Sequence, residues 1–208
     1  MFYLQNMMMN LKFLKWPISI IVLGITLSGC FQSDYTRLVK SELAKGVRYD
    51  SLLLGIRFGD SRDDFYGKCF DLNKQQLVRE GPGNTAVQYM FTDSIVHAKP
   101  TEIRLLFMPK YDEKNIITEM NMEFSYREWT PWVPELQSDT LKVKTMEILM
   151  EWYKGNEFVI AHVQDTEQFV KLDGNRRVVI YKLDPERVVV KVQDILHPMF
   201  RHSITTGE

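Results

Sequence analysis

Apolar and polar residues alternate most regularly over residues 115–126. Every second side chain from Ile116 to Tyr126 is apolar or a threonine, and the positions between them include Glu119, Asn121 and Glu123. A period of two residues predicts a β-strand with one face in the core. We expect its other face to be mostly wet, as in an antiparallel sheet that helices cover on one side. Two further strands are predicted before it, at 86–92 and 101–108.

Three stretches have apolar side chains three or four positions apart, which is typical of amphipathic helices. Each stretch begins near residues that can cap a helix, namely Ser33 or Asp34, Ser61, and Ser138 or Asp139. At Ser61, the side chain can bond the backbone amide near Asp64, and Asp63 and Asp64 face the positive end of the helix dipole. The predicted helices span 35–45, 62–78 and 138–154.

The last third of the chain predicts three more strands, at 157–163, 176–183 and 187–195, with a turn at Pro185. The predicted order is therefore α-α-β-β-β-α-β-β-β. This order predicts a single α+β domain over residues 35–197, in which antiparallel sheet packs on helices. Its second half, 136–197, resembles the first half, 35–128, in the order of its predicted elements, but too few residues match between the halves for a sequence repeat. We expect residues 198–208 to form a frayed tail.

An apolar run from Trp16 to Gly29 precedes this body. Its 14 residues are fewer than the ~20 that cross a bilayer as a helix. Lys12 and Lys15 lie in front of the run, and no acidic residue occurs before Asp34. This charge asymmetry is typical of a secretory signal, so we predict that residues 1–29 are removed.

The run ends in Leu27-Ser28-Gly29-Cys30, which resembles the lipobox of bacterial lipoproteins. The resemblance implies that Cys30 is acylated and becomes the N-terminus of the mature chain. Two or three acyl chains make a stable anchor in the lipid bilayer, because each buried methylene contributes about 0.8 kcal/mol. Residues 30–34 then form a short tether that keeps the body close to the membrane.

The residue after the cysteine bears on the destination of such a protein. In many bacterial lipoproteins an aspartate at that position implies retention at the inner membrane, and here the residue is Phe31. The resemblance therefore favours the outer membrane and leaves open which of its faces carries the body. Two alternatives to the lipobox are an ordinary signal cleaved nearby and an apolar N-terminal helix with a buried cysteine.

A second resemblance covers residues 35–126. Gly59, Asp60 and Ser61 form a glycine-polar-serine helix start, and the helix is followed by three predicted strands. This pattern resembles the small envelope lipoproteins of the SmpA/OmlA type and the related β-lactamase-inhibitor-protein-like domains. The resemblance implies an α+β body that works in the cell envelope.

The charge balance excludes one class of function. The chain has 26 basic and 27 acidic residues. Removal of residues 1–29 takes away Lys12 and Lys15 and no acid, which leaves 24 basic against 27 acidic residues. A nucleic-acid-binding protein would show a basic excess or stripe, so we expect no nucleic acid among the partners. With Cys30 acylated, Cys69 is the remaining cysteine, and we expect no internal disulfide.

The segment Trp129-Thr130-Pro131-Trp132-Val133-Pro134 interrupts the strand pattern. The prolines Pro131 and Pro134 pre-set an extended backbone, and Trp129 and Trp132 bring large rings that lose little entropy on binding. We therefore consider the segment a candidate partner surface. The alternative is that both rings fold back as a lid between two halves of the core.

Catalytic and metal-binding patterns are weak in this sequence. Asp60, Asp63 and Asp64 suggest calcium, but helix capping explains all three without a metal. His197 and His202 are close enough in sequence to suggest zinc, but Pro198 prevents a regular helical face between them. We interpret Cys69 as a small apolar residue on a helix face, and we predict no catalytic residue, no metal and no cofactor.

These patterns together predict a bacterial lipoprotein with a non-catalytic body that binds a protein of the cell envelope. A lipoprotein that binds a small ligand in a pocket between sheet and helices is the alternative function. A hydrolase whose catalytic groups converge from distant positions is a third reading of the same sequence.

Overall fold

Three helices and eight strands make up the part of the chain described by the computed structural model, residues 34–93, 101–163 and 166–200. The helices are α1 (Asp34–Ala44), α2 (Arg62–Lys74) and α3 (Ser138–Trp152). The strands are β1 (Val78–Glu80), β2 (Val87–Asp93), β3 (Thr101–Tyr111), β4 (Ile117–Tyr126), β5 (Val159–Val163), β6 (Thr166–Asp173), β7 (Arg176–Lys182) and β8 (Arg187–Asp194). The predicted signal, Cys30, most of the tether, His97 and His202 lie outside the described residues.

All eight strands belong to one antiparallel sheet with the order β1-β2-β3-β4-β8-β7-β6-β5. Strands β1 to β4 form one meander, and β5 to β8 form a second one. The two meanders meet in the middle of the sheet, where β4 and β8 pair from Glu119 opposite Gln193 to Ser125 opposite Arg187. The α+β class with an antiparallel sheet is therefore confirmed.

The predicted order α-α-β-β-β-α-β-β-β was wrong, because each group of strands has four members. Strand β1 has three residues, too few for an alternating pattern to show. Strand β6 carries Lys171 and Asp173, both buried, where an alternating pattern calls for apolar side chains. Both additional strands therefore lack the sequence signal on which the prediction depended.

Short 3-10 turns add further elements at Pro82–Asn84, Pro134–Leu136 and Pro198–Phe200. The last of these corrects the predicted tail, since Phe200 is buried against the body. The frayed-tail prediction was therefore wrong for residues 198–200, and residues from 201 onward lie outside the described part of the chain.

Helix α2 ends at Lys74 and not at residue 78. Gln76 has a positive φ of 60°, a conformation that does not continue a helix. The Asn73 side chain donates to the carbonyl of Val78 at 2.9 Å and holds the turn that follows the helix. Val78 then begins β1 with its side chain buried.

The second face of β4 is not wet, which corrects the expectation from the sequence. Glu119 is 2% exposed and Ser125 is 1% exposed. Both lie on a central strand, where side chains from the neighbouring strands cover them. Gln193 of β8 donates to the Glu119 carboxylate, and Arg104 of β3 donates to the Ser125 hydroxyl at 3.0 Å.

The main core lies between one face of the sheet and helices α2 and α3. Phe65 of α2 and Leu141 and Leu149 of α3 are buried there. Their buried partners on the strands are Val78, Ile103, Leu105, Phe107, Ile117, Met120, Met122, Phe124, Tyr126, Val178, Ile180, Val188, Val190 and Val192. Helix α1 packs on the opposite face, where Val39 clusters with Leu172 and Ile195.

Candidate functional site

The predicted lipid attachment at Cys30 lies outside the described residues and stays a prediction. Within the described ranges, no helix is long and apolar enough to cross a membrane. The candidate sites described below all lie in the body of the protein.

The two tryptophans of the candidate partner segment lie in different environments. Trp132 is 86% exposed, and the neighbouring Pro131 and Pro134 are also exposed. Trp129 is partly buried and packs against the main core. Its indole Nε1 is buried without a hydrogen-bond partner in the described structure. The two rings therefore do not form one patch, and Trp132 alone presents its ring to solvent.

Polar contacts hold the segment around Trp132 in place. The Gln137 side chain amide donates to the carbonyls of Thr130 and Val133, each at 2.9 Å. The backbone N–H of Ser138 donates to the carbonyl of Pro185 at 2.8 Å, which joins the segment to the β7–β8 turn. The segment thus presents Trp132 from a braced loop, which lowers the entropic cost of binding a partner.

A pocket of about 510 Å³ opens between α2 and one end of the sheet. Strand β2 begins at Val87, opposite Phe107, so the last residues of β3 extend past it. The recess lies between this end of β3, the β1–β2 turn and α2. Its volume falls in the range of pockets that hold small ligands, about 300 to 1,000 Å³.

One side of α2 forms a wall of the pocket. Phe65, Cys69 and Asn73 recur at helical spacing along it, and Tyr66 and Phe70 stand beside them at the rim. Tyr66 and Phe70 are each 62% exposed. The Arg62 guanidinium continues the same side of the helix and lies 4.8 Å from the ring centre of Tyr111, which also lines the pocket.

The Cys69 thiol and the Tyr111 hydroxyl, which both line the pocket, stay neutral at physiological pH. Burial raises the pKa of the Cys69 thiol to about 11. Burial, with a smaller contribution from Tyr66, raises the pKa of Tyr111 to about 12, although Arg62 acts in the opposite direction. A nucleophilic cysteine needs a lowered pKa, so this environment does not activate Cys69.

Of the three aspartates that suggested calcium, two have protein partners and the third is exposed to solvent. Asp60 accepts from the backbone N–H of Arg57 at 2.7 Å and pairs with Lys68 Nζ at 2.6 Å. The predicted cap at Ser61 is confirmed, and Asp64 accepts in turn from the backbone N–H of Ser61 at 3.0 Å. Asp63 is exposed in the first turn. No group of three or more His, Cys, Asp or Glu among the described residues could hold a metal.

His197 pairs with Asp112 in the turn between β3 and β4. The distance from its Nε2 to the Asp112 carboxylate is 3.4 Å. Its Nδ1 accepts from the backbone N–H of Met199, also at 3.4 Å. Hydrogen bonds from the backbone amides of Ile116 and Lys114, together with His197, lower the pKa of Asp112. Both ring nitrogens therefore make structural contacts in a chain turn, and neither contacts a nucleophile.

A buried charge cluster, which we define as Lys171, Asp173 and Arg176, lies at the β6–β7 turn. Lys171 Nζ is 3.1 Å and Arg176 Nη2 is 3.4 Å from the Asp173 carboxylate. Lys171 also donates to the carbonyl of Asn156, and the N–H of Asn156 donates back to Asp173 at 2.8 Å. The cluster thereby joins the β6–β7 turn to the connection after α3.

Aromatic rings enclose the arginine of this cluster. The Arg176 guanidinium lies 4.3 Å from the ring centre of Tyr153 and 5.0 Å from that of Tyr49. It also donates to the carbonyl and the hydroxyl of Ser51, each at 3.3 Å. This cluster could not be predicted from the sequence, since isolated charges in a strand carry no signal of burial. Its charges are directed at one another, so we interpret it as structural.

Comparison of the chain with protein-family models, with curated proteins and with solved structures finds no match.

Proposed function

We propose that this chain is a bacterial lipoprotein whose body binds a protein of the cell envelope through the loop that carries Trp132. The observation that carries the proposal is the exposure of Trp132, 86%, on a loop that hydrogen bonds hold in place. The sequence Leu27-Ser28-Gly29-Cys30 supports the lipid anchor.

An exposed tryptophan on a braced loop suits protein recognition for two reasons. Indole rings are enriched among the residues that dominate binding energy, because they bury a large area with few rotatable bonds. The packing of Trp129 against the core fixes the chain only three positions away from Trp132. The loop therefore loses little conformational entropy when a partner covers the ring.

The anchor places this loop within reach of other envelope proteins. The body begins at Asp34, and residues 30–34 span well under ~20 Å even when fully extended. A body so close to a lipid surface meets proteins that are confined to the same membrane. The residue Phe31 favours the outer membrane as that location.

Photo-crosslinking tests the proposed surface. We expect Trp132→p-benzoylphenylalanine, expressed in intact cells, to trap one envelope protein. The same probe at Val143, which is 55% exposed on α3, should not trap it. Trp132→Ala should lower recovery of that protein at least about tenfold, because central aromatic contacts dominate interfaces. Equal trapping from both positions, or unchanged recovery, would contradict the proposal.

Stability measurements separate recognition from folding. Trp132→Ala should change the free energy of unfolding by less than about 0.5 kcal/mol, because the ring contacts solvent. Trp129→Ala should cost about 2 kcal/mol or more, because it removes a ring that packs on the core. The pair of variants serves as a matched control in chemical denaturation, and a large loss for Trp132→Ala would show a packing role.

Mass spectrometry of the mature polypeptide tests the anchor. We expect a chain that begins at Cys30 and carries acyl chains on that residue. Cys30→Ser should leave the protein unacylated and release it from the membrane fraction. An unmodified thiol at position 30, or an uncleaved leader, would overturn the lipoprotein assignment independently of the binding surface.

A further inference from the structure

We propose that the pocket between α2 and the end of the sheet binds a single amphiphile, with its apolar chain in the pocket and its acidic group at Arg62. The ligand class is that of a fatty acid. This site is separate from the loop that carries Trp132, and it does not depend on the proposed partner.

The apolar part of the pocket accounts for the chain of such a ligand. Its floor includes the buried side chains of Phe65, Val78 and Phe107. Tyr66 and Phe70 lie at the rim with most of their surface in water. A bound chain would remove apolar area of these rings from water, which favours binding in proportion to that area.

The charges around the pocket account for the acidic group. Arg62 has no carboxylate within 4.0 Å among the described residues, and it lies over the Tyr111 ring at one end of the pocket. Arg79 lines the pocket itself, and its guanidinium contacts the side-chain amide of Gln88 and no acid in the described structure. Glu80 is the acidic residue of the lining. The rim therefore has a positive excess that complements a carboxylate.

The part of the pocket that Cys69 and Tyr111 line suits an uncharged part of the ligand. Cys69 and Tyr111 both remain protonated at physiological pH, because burial disfavours their charged forms. A charged ligand group is therefore unfavourable beside them and favourable at the exposed guanidinium of Arg62. This arrangement matches a molecule with one polar end and one long apolar chain.

The shape of the site favours a single molecule over a bilayer surface. The pocket is a recess of about 510 Å³ between a helix and the sheet. A surface that binds lipid bilayers presents an apolar face on which basic residues are spread along its polar side. Here the apolar groups converge on a recess, which suits a ligand withdrawn from the membrane.

The test uses the full-length protein purified from membranes into lipid nanodiscs. The probe is a diazirine-bearing hexadecanoic acid, and its methyl ester serves as the uncharged counterpart. We expect photolabelling by the acid to map by mass spectrometry to residues of α2 and to the end of β3. Bound hexadecanoic acid should also slow alkylation of Cys69 about tenfold, because the thiol lines the occupied pocket.

Matched variants isolate the two parts of the site. Arg62→Gln should lower labelling by the acid about tenfold and leave labelling by the ester unchanged, since a charge-assisted hydrogen bond is lost. Arg57→Gln, at an exposed arginine outside the pocket lining, should change neither. The double variant Tyr66→Ala and Phe70→Ala should lower labelling by both probes.

Three results would overturn the proposal. The first is that Arg62→Gln lowers photolabelling by the acid and by the ester equally. The second is that the labelled residues lie outside the pocket. The third is that hexadecanoic acid does not slow alkylation of Cys69. If the probe labels only exposed residues of the protein in nanodiscs, the protein contacts the bilayer and does not bind the probe in the pocket. Trp132→Ala should leave all labelling unchanged, so failure here and failure of the partner surface are distinguishable.

Discussion

At the scale of single residues, Glu42 shows how a buried charge is stabilised in this protein. The side chain lies on α1 and is 4% exposed. Burial alone would raise its pKa, but hydrogen bonds from Lys45 and from the backbone N–H of Gly174 more than offset this and lower the pKa. The bond from Gly174 is 3.1 Å long and joins α1 to the β6–β7 turn.

We expect Glu42→Gln to lower the free energy of unfolding by about 1 kcal/mol at neutral pH, because the ionised partner of Lys45 and Gly174 is lost. The folded pKa of Glu42 lies below its ordinary value of 4.5. Its contribution is therefore complete above that value and is lost as the pH falls through the folded pKa. Denaturant unfolding at neutral and acidic pH should show that the difference between wild type and variant shrinks on acidification. Glu113→Gln, at an exposed position, is the control, and a difference independent of pH would contradict the assignment.

At the scale of elements, the β6–β7 turn holds the segment after α1 against the sheet. Gly174 has a φ of +53°, and a Cβ there would lie 2.2 Å from the carbonyl oxygen of Val47. Asn175 accepts from the N–H of Tyr49 at 2.6 Å and donates to Asp194 at 3.0 Å. The turn therefore requires a glycine both for its backbone conformation and for the close approach of Val47.

Gly174→Ala should destabilise the protein by about 3 kcal/mol, because the methyl group meets a backbone atom and the residue is also strained. Gly83→Ala is a matched control, since Gly83 has a φ of +67° and open space around it. It should cost only about 1 kcal/mol, the conformational part of the effect. Thermal and denaturant unfolding of the two variants would measure the difference, and equal losses would show that the contact with Val47 is easily relieved.

At the scale of the whole molecule, the two meanders share one core. Strands β4 and β8 pair over seven positions, and Met122 lies opposite Val190 in the middle of that pairing. Helix α3 follows the first meander in the chain, yet its buried residues belong to the same cluster as Phe65 of α2 and Val178 of β7. The main core is therefore common to both groups of four strands.

We expect the body to unfold in a single cooperative transition, because separation of the meanders would expose this common core. Native-state hydrogen exchange should give the backbone amides of β4 and β8 the same opening free energy, equal to that of global unfolding. Val190→Ala in β8 should lower the protection of β3 and β4 as much as that of β7. Protection that persists in one meander after the other has exchanged would contradict this prediction.

Features that depend only on neighbours along the chain could be predicted from the sequence. Alternation within 115–126 indicated a strand that is present as β4, and Ser61 with the acids that follow it indicated the helix start at which α2 begins. Both signals arise from the backbone geometry of one element, so they can be read without a partner. The exposed Trp132 was among the predicted surface residues for a similar reason, since Pro131 and Pro134 keep this segment out of a regular element.

The tertiary structure alone decided which distant residues meet. It joins β4 to β8, gives Trp129 and Trp132 opposite environments, and buries Lys171 and Asp173 beside Arg176. It also forms the pocket, whose lining comes from α2, the β1–β2 turn and the end of β3. Burial of a charge depends on a partner that can lie anywhere in the chain, and a pocket depends on where one strand ends relative to another. Neither property leaves a local pattern, because the energies that decide them arise only when separate elements pack together.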